Sequence, residues 1–406
     1  MTSDRAYVWV WLPGETEPIP AGLLAPASGG LWFTYGTRYL ARPEAVSLYA
    51  PELPLTDRQF PPSGDLGMPG ALRDASPDSW GRRVINSRLF GDPESTQPTE
   101  LTYLLASGSN RFGAVDFQQS ATEYVPRDDT ATLDELQQAA RLVEEGKPVP
   151  PALAAALQDG TAIGGARPKA LITDGGIQYI AKFSTSTDLY SVVGAEAAAA
   201  HLARRVGIEV PDMKVVSSLN RDVLLLRRFD RSAAGGRRMV VSALTMLGRD
   251  ETTFRYGTYP DILDTLKRHS KGLSDVGAQL FRRIAFNIAI SNTDDHLRNH
   301  AAFWDGAGLT LTPAYDLSPM NRHGETASQA IAYGREGERS SNLAELIRVA
   351  RVYGLSEEKA RVIVSDLIDG IRTGWDEAAD FGRLTAADRK ALWHRQFLNP
   401  GSLYGL

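Results

Sequence analysis

Asn292-Thr293-Asp294-Asp295-His296-Leu297-Arg298-Asn299-His300 and, 17 residues beyond Asn299, Tyr315-Asp316-Leu317-Ser318 decide how this 406-residue chain is read. Moving a phosphoryl group from a nucleotide to a hydroxyl asks little covalent chemistry of a protein. It asks for a carboxylate to take the hydroxyl proton and for groups that hold Mg²⁺ on the phosphates. In protein kinases the base Asp and a metal-holding Asn share one loop in the pattern D-x-x-x-x-N. Asp294 and Asn299 have that spacing. Just upstream, apolar Leu280, Phe281, Ile284 and Ile288 predict a helix over 276–291 with one buried face, which would hold the loop rigid. Downstream, Ala301 to Trp304 and Leu309 to Thr312 flank Asp305-Gly306-Ala307-Gly308, a hairpin signal. Asp316 then stands where a second metal-binding carboxylate belongs. Alone, the nonapeptide reads equally as a polar loop whose aspartates cap a helix. The succession of helix, loop, hairpin and Asp is what favours the catalytic reading. His296 and His300 lack a third ligand at a recognisable metal-site spacing.

Working outward, Lys182 ends the apolar run Ile177 to Phe183, where a charge is costly unless paired. A lysine facing phosphates answers that cost, with Glu196 on the next helix as a candidate partner; a strand-end lysine turned to water is the plainer alternative. Gly164, Gly165 and Ala166 precede it, with so little side chain that backbone N–H groups could approach phosphate oxygens, and Arg167 and Lys169 follow. A Walker sequence is absent. A hydrolase built on two carboxylates would explain neither Lys182 nor the glycines. Leu224 to Arg231 lies where a β-lobe should pass into a helical lobe. There the connecting strand could offer backbone groups to adenine with Phe229 packed on the base, or the run could be an ordinary buried strand ending in a charged turn.

The rest of the chain fits a soluble α+β protein. Hydrophobic residues make up 43% and charged residues 23%, the balance of a globular chain rather than a disordered one. A net charge of −5 gives no basic field for nucleic acid, and the absence of cysteine excludes disulfides and thiolate metal sites. The apolar start Ala6 to Trp11 is too short for a signal peptide, and no apolar run reaches the roughly 18 residues of a membrane span. A cytoplasmic protein with no membrane partner is expected. Tyr7 to Trp11 and Leu31 to Tyr35 predict strands; Ser76 with Pro77 predicts a helix start. A polar helix is expected from about Leu133 to Glu145, and a helix from Gly194 to Arg205 closed by Gly207. Past Arg231 the chain reads as helical, with Ser356 and Thr385 as N-caps. Three segments result: a β-rich region over 1–125, a linker and small lobe over 126–232, and a helical lobe over 233–406. The last two form the bilobal layout of a protein-kinase-like fold.

Taken together these residues resemble the HipA family of serine/threonine kinases, the toxins of HipBA-type toxin–antitoxin modules. The resemblance runs through Asp74 to Arg83, Leu104 to Ala114, Gly164 to Lys169, Lys182-Phe183, Arg228-Phe229-Asp230-Arg231, Thr293 to Asn299 and Pro313 to Asp316. It implies ATP and Mg²⁺ as cofactors, Asp294 as catalytic base, Asn299 and Asp316 as metal ligands, and Lys182 on the phosphates. Gly164, Gly165, Ala166, Arg167, Arg228, Phe229, His296 and Tyr315 complete the expected nucleotide site. It implies a HipB-like helix-turn-helix antitoxin as partner, DNA contact only through that antitoxin, and a protein substrate such as an aminoacyl-tRNA synthetase. Two other functions stay open: an inactive kinase-fold corepressor that holds an antitoxin, and a small-molecule kinase. The sequence departs from the family pattern at Ala162, where a self-phosphorylated serine is common. Thr161 beside it is the alternative acceptor, unless self-inactivation is lacking or the alanine was introduced. Arg227 replaces a frequent acidic residue.

Overall fold

Proline decides where the first sheet can be paired. The computed structural model describes residues 4–64, 66–96, 98–127, 131–147, 149–150, 153, 157, 167–185, 187–270 and 275–406. β1 (Ala6–Val10), β2 (Ile19–Ala27), β3 (Gly30–Tyr35), β4 (Gln59–Phe60) and β5 (Val115–Gln118) form an antiparallel sheet in the order β4-β3-β2-β1-β5. β1 and β3 match the expected strands, whereas Pro20 and Pro26 hide β2 from a propensity reading. Pro20 lies opposite Trp9, where the β1 register shifts, and Pro26 lies opposite Leu31, past the last β1 partner of β2 at Leu24. A residue without an N–H is tolerated where a strand bulges or has one neighbour only.

The chain divides into two compact units. One unit holds Met1–Thr185, Ser217–Gly248 and Ala302–Gly308; the other holds Ser186–Val216, Arg249–Ala301 and Leu309–Leu406. The first unit adds helices α1 (Ser79–Phe90), α2 (Glu100–Ala106) and α3 (Leu133–Glu144) to its sheet. Asp78, not Ser76, caps α1: its carboxylate accepts from the Gly81 N–H at 3.2 Å. The Ser76 hydroxyl instead closes the preceding turn onto the Arg73 carbonyl at 2.5 Å. α3 begins in a capping box between Thr132 and Glu135.

The expected hairpin is present as β6 (Lys169–Asp174) and β7 (Ile177–Phe183), in antiparallel register with Lys169 opposite Lys182. Gly175 and Gly176 turn it with φ of 57° and 78°, the doubly left-handed turn whose twist matches a two-residue hairpin. β8 (Met213–Ser218) spans the division, and β9 (Arg221–Arg227) pairs with the other edge of β7, placing Leu224 opposite Lys182. After Arg231 the expected helix is replaced by β10 (Met239–Ser242), buried throughout and hydrogen-bonded to β11 (Ala301–Trp304). The run Met239-Val240-Val241 is too short and too β-branched to hold a helix turn against sheet pairing.

The second unit is helical around β12 (Leu309–Leu311): α4 (Val192–Arg205), α5 (Tyr259–His269), α6 (Val276–Ala289), α7 (Leu343–Arg348), α8 (Glu357–Phe381) and α9 (Ala386–Leu392). α4 ends as expected, with Gly207 at φ 78°. It packs on α8 so closely that a Cβ on Gly382 would stand 2.3 Å from the Gly194 carbonyl oxygen. Ser356 and Thr385 cap α8 and α9 as the sequence predicts. No helix among the described residues is long and apolar enough to cross a membrane.

Candidate active site

α6 is apolar on the face it buries, and its last turn holds the loop in place. Ile284, Ala285, Phe286, Ile288 and Ala289 are wholly buried. The chain then reverses through Ser291, at φ 55°. Asn292 ties the reversal down: its N–H donates to the Asn287 carbonyl at 2.8 Å, and its side-chain amide donates to Asn287 Oδ1 at 3.0 Å. The same amide reaches the Asp316 carbonyl at 3.3 Å, joining the loop to the second carboxylate segment. Gln329 donates to the Asn292 carbonyl at 3.0 Å.

Asp294 and Asp295, adjacent in sequence, part company at this point. Asp294 is exposed, whereas Asp295 is 2% exposed and accepts at Oδ2 from the Tyr259 hydroxyl, from Asn287 Nδ2 at 2.6 Å and, at 3.0 Å, faces His300 Nε2. Partial burial pushes the Asp294 carboxyl above its ordinary range, His296 pulls it back, and the charges of Asp316 and Asp295 push it up again. A carboxylate so biased is a better proton acceptor than a free one. Asn299, in a short 3₁₀ turn (Leu297–Asn299), donates to the Asp294 carbonyl at 3.4 Å. Asp316 is half-buried with φ 58°, a left-handed conformation that costs a non-glycine residue energy and gathers at functional sites. Tyr315 donates to the Arg298 carbonyl at 2.8 Å. Asp294, Asn299 and Asp316 thus lie on two segments bonded to each other.

These are hard oxygen donors of the kind Mg²⁺ takes, one or two from the protein with the rest from water and phosphate. Among the described residues no cluster of three or more His, Cys, Asp or Glu side chains forms a ready-made cage. His296 is half-buried, edge-on to Phe254 at 5.6 Å, with no hydrogen bond at its Nδ1.

The small-lobe residues divide differently. Lys182 is half-buried near the end of β7, and Glu196 is buried on α4. Thr161, Ala162, Gly164, Gly165 and Ala166 lie outside the described residues. Arg167 is half-buried just before β6. Lys169, expected near the glycines, is 2% exposed, its ammonium 3.5 Å from the Asp78 carboxylate at the start of α1.

The Arg228 side chain serves the fold of the first unit. It is 2% exposed, and all of its N–H groups are engaged within the first unit. Nε and Nη2 grip Asp230 at 2.9 and 2.6 Å, Nη1 donates to the Asn110 carbonyl and side chain at 3.1 and 2.9 Å, and Nη2 also reaches the Arg111 carbonyl at 2.6 Å. Its guanidinium is therefore withdrawn from any nucleotide. Phe229, half-buried, sits edge-on between Phe112 at 5.8 Å and Phe303 at 5.9 Å. The run Arg228 to Arg231 ties the small sheet to residues 110–113. Charges facing inward and charges facing a ligand look alike in sequence.

Sequence reading also missed Asp295, Asn287 and Tyr259. The available signal was Asn287, a polar residue in the apolar stretch Ile284 to Ala289 that closes α6.

An Asp–Asn loop backed by a buried helix, a downstream aspartate on left-handed backbone and a separate antiparallel sheet carrying a lysine define the kinase-like class. The HipA-like C-terminal domain matches residues 161–375 and the HipA N-terminal domain matches residues 10–118, and the chain belongs to the HipA family. The HipA chain of the Shewanella oneidensis HipA, HipB and operator DNA complex superposes with a TM-score of 0.66 at 16% identity, over 96% of this chain and 95% of that one. The fold is accordingly the kinase-like bilobal one. Toxin YjjJ of Escherichia coli is 26% identical over 63% of this chain and 60% of its own length. A putative kinase of Sinorhizobium fredii, Y4dM, is 25% identical over 43% of this chain and 46% of its own. The chain thus spans about half to three-fifths of these curated relatives.

Proposed function

We propose that this protein is an ATP- and Mg²⁺-dependent serine/threonine-protein kinase that acts as the toxin of a toxin–antitoxin pair. One observation carries the reading: an exposed aspartate with a raised pKa, Asp294, shares a hydrogen-bonded framework with Asn299 and strained Asp316. Asn299 and Asp316 would hold Mg²⁺, which neutralises charge on the phosphates of ATP when bound. Asp294 accepts the proton of the acceptor hydroxyl as that oxygen takes the terminal phosphoryl group, leaving ADP. Lys182 supplies a cation for the phosphates. A HipB-like helix-turn-helix antitoxin is the expected partner, as in the Shewanella oneidensis complex, with DNA reached only through it. A translation component such as an aminoacyl-tRNA synthetase is the expected substrate.

Incubation with γ-labelled ATP and Mg²⁺, alone and with a lysate freed of small molecules, tests this by intact-mass and gel analysis. A labelled protein that disappears with Asp294→Asn supports the kinase. Mg-ATP binding with no labelled protein would leave an antitoxin-holding corepressor or a small-molecule kinase.

A further inference from the structure

Resting on the kinase reading, we infer that Asp295 is a positioning residue for Asp294, set by the Tyr259 hydroxyl rather than by burial alone. Three donors from three elements converge on its Oδ2: Tyr259 from the first turn of α5, Asn287 from the last turn of α6, and His300 from just beyond the loop. One carboxylate therefore clamps two helices and the far end of the loop whose exposed member is Asp294.

Asp294 is exposed while the adjoining Asp295 is buried, so a shift of Asp295 within its socket displaces the backbone that carries Asp294. A buried carboxylate is tolerated only while donors compensate it, and removing one donor leaves a strong incentive to rotate or to admit water. The Tyr259 hydroxyl suits the task. Burial first, and then the Asp295 charge, push its pKa well above the ordinary value, so it remains a donor across working pH. Its ring also braces His300, with centroids 5.2 Å apart. Asp295 itself is buried away from solvent and touches no reacting atom, so its role is one of placement.

Tyr259→Phe keeps the ring and removes one hydroxyl. The expected result is a fall in kcat of roughly 10- to 100-fold, the scale of a small misplacement of a reacting group. Mg-ATP affinity measured by calorimetry should fall much less than kcat, because Asp316 lies outside the clamped segment. Faster amide exchange across 292–299, with α8 unchanged, should accompany it. His300→Gln, which can still present a donor, should retain most activity, whereas His300→Leu should not. Full kcat in Tyr259→Phe, or kcat and Mg-ATP affinity falling together in step with the folded fraction, would overturn the inference. If the wild-type chain transfers no phosphoryl group, the kinase reading fails separately. The exchange measurement then decides the clamp: protection across 292–299 unchanged by Tyr259→Phe overturns it, and selective loss upholds the positioning of the loop.

Discussion

Two aspartates, Asp294 and Asp230, each stand in a charged run that the sequence marks out, and the structure uses them in opposite ways. Asp230 is 1% exposed, gripped by Arg228 and Arg231 and bonded by the Gly113 N–H at 2.8 Å. Burial alone would raise its carboxyl, yet the two guanidiniums hold it well below the usual carboxylate range. Asp294 faces solvent, its pKa raised by partial burial and by the charges of Asp316 and Asp295 against the pull of His296. A carboxylate that serves the fold is surrounded until its charge is answered; one proposed to take a substrate proton, as Asp294 is, would be left partly unanswered. Arg111 and Asp116, both wholly buried and bonded at 2.6 Å, repeat the structural solution beside the 110–113 segment that Arg228 and Asp230 engage.

The comparison breaks most visibly if each aspartate is neutralised in turn. Asp294→Asn should lower phosphoryl transfer by about 10³-fold, the scale of a lost general base, with the fold intact. Its thermal stability at neutral pH should rise slightly. A carboxyl whose folded pKa lies above its unfolded one binds its proton more tightly when folded. The fold therefore loses stability as pH climbs through that interval, a loss the amide escapes. Asp230→Ala should do the reverse, costing about 3–5 kcal/mol by leaving buried guanidiniums unpaired. Chemical denaturation and a transfer assay on the same two proteins read both halves. Asp230→Ala with unchanged stability would dissolve the contrast.

A pH series sharpens it. The depressed carboxyl of Asp230 contributes stability that is fully present above the unfolded value, near pH 4, and drains away as pH falls toward its folded value. The raised carboxyl of Asp294 works at higher pH, so the acidic limb of kcat/KM should lie above the ordinary Asp range. Activity should thus fail on acidification before the first unit does. Coincident loss of activity and structure would show that the limb reports unfolding.

Much of this was legible in the sequence. The Asp–Asn spacing, the buried face of α6, the hairpin before Asp316, the Gly-Gly turn of β6 and β7 and the caps at Ser356 and Thr385 all rest on local rules that tertiary packing left alone. What escaped depends on partners far along the chain. The Arg228 guanidinium reads as free until Asn110 and Arg111, more than a hundred positions away, are seen to take its donors. Asp295 reads as a twin of Asp294 until Tyr259 is found beneath it. β2 goes unread, since a single sequence does not show that Pro20 and Pro26 fall where the strand bulges or has one neighbour only.

The smallest test concerns a third aspartate, Asp78, which lies between those extremes: it caps α1 and also faces buried Lys169 at 3.5 Å. Asp78→Asn keeps an oxygen for the Gly81 N–H and removes only the charge, while Asp78→Ala removes both. The difference between the two should be about 1 kcal/mol, the worth of an N-cap. Ser76→Ala, which loses one hydrogen bond to the Arg73 carbonyl in the preceding turn, should cost about as much as a single such bond, 0.5–1.5 kcal/mol. Urea denaturation separates the roles through a second substitution. With Asp78→Ala already made, the cost of Ser76→Ala should be unchanged, because the two side chains serve different turns. A Ser76→Ala cost that grows once Asp78 is gone would mean that the serine can take over the cap, and that the helix start expected from Ser76-Pro77 is held in reserve by the carboxylate.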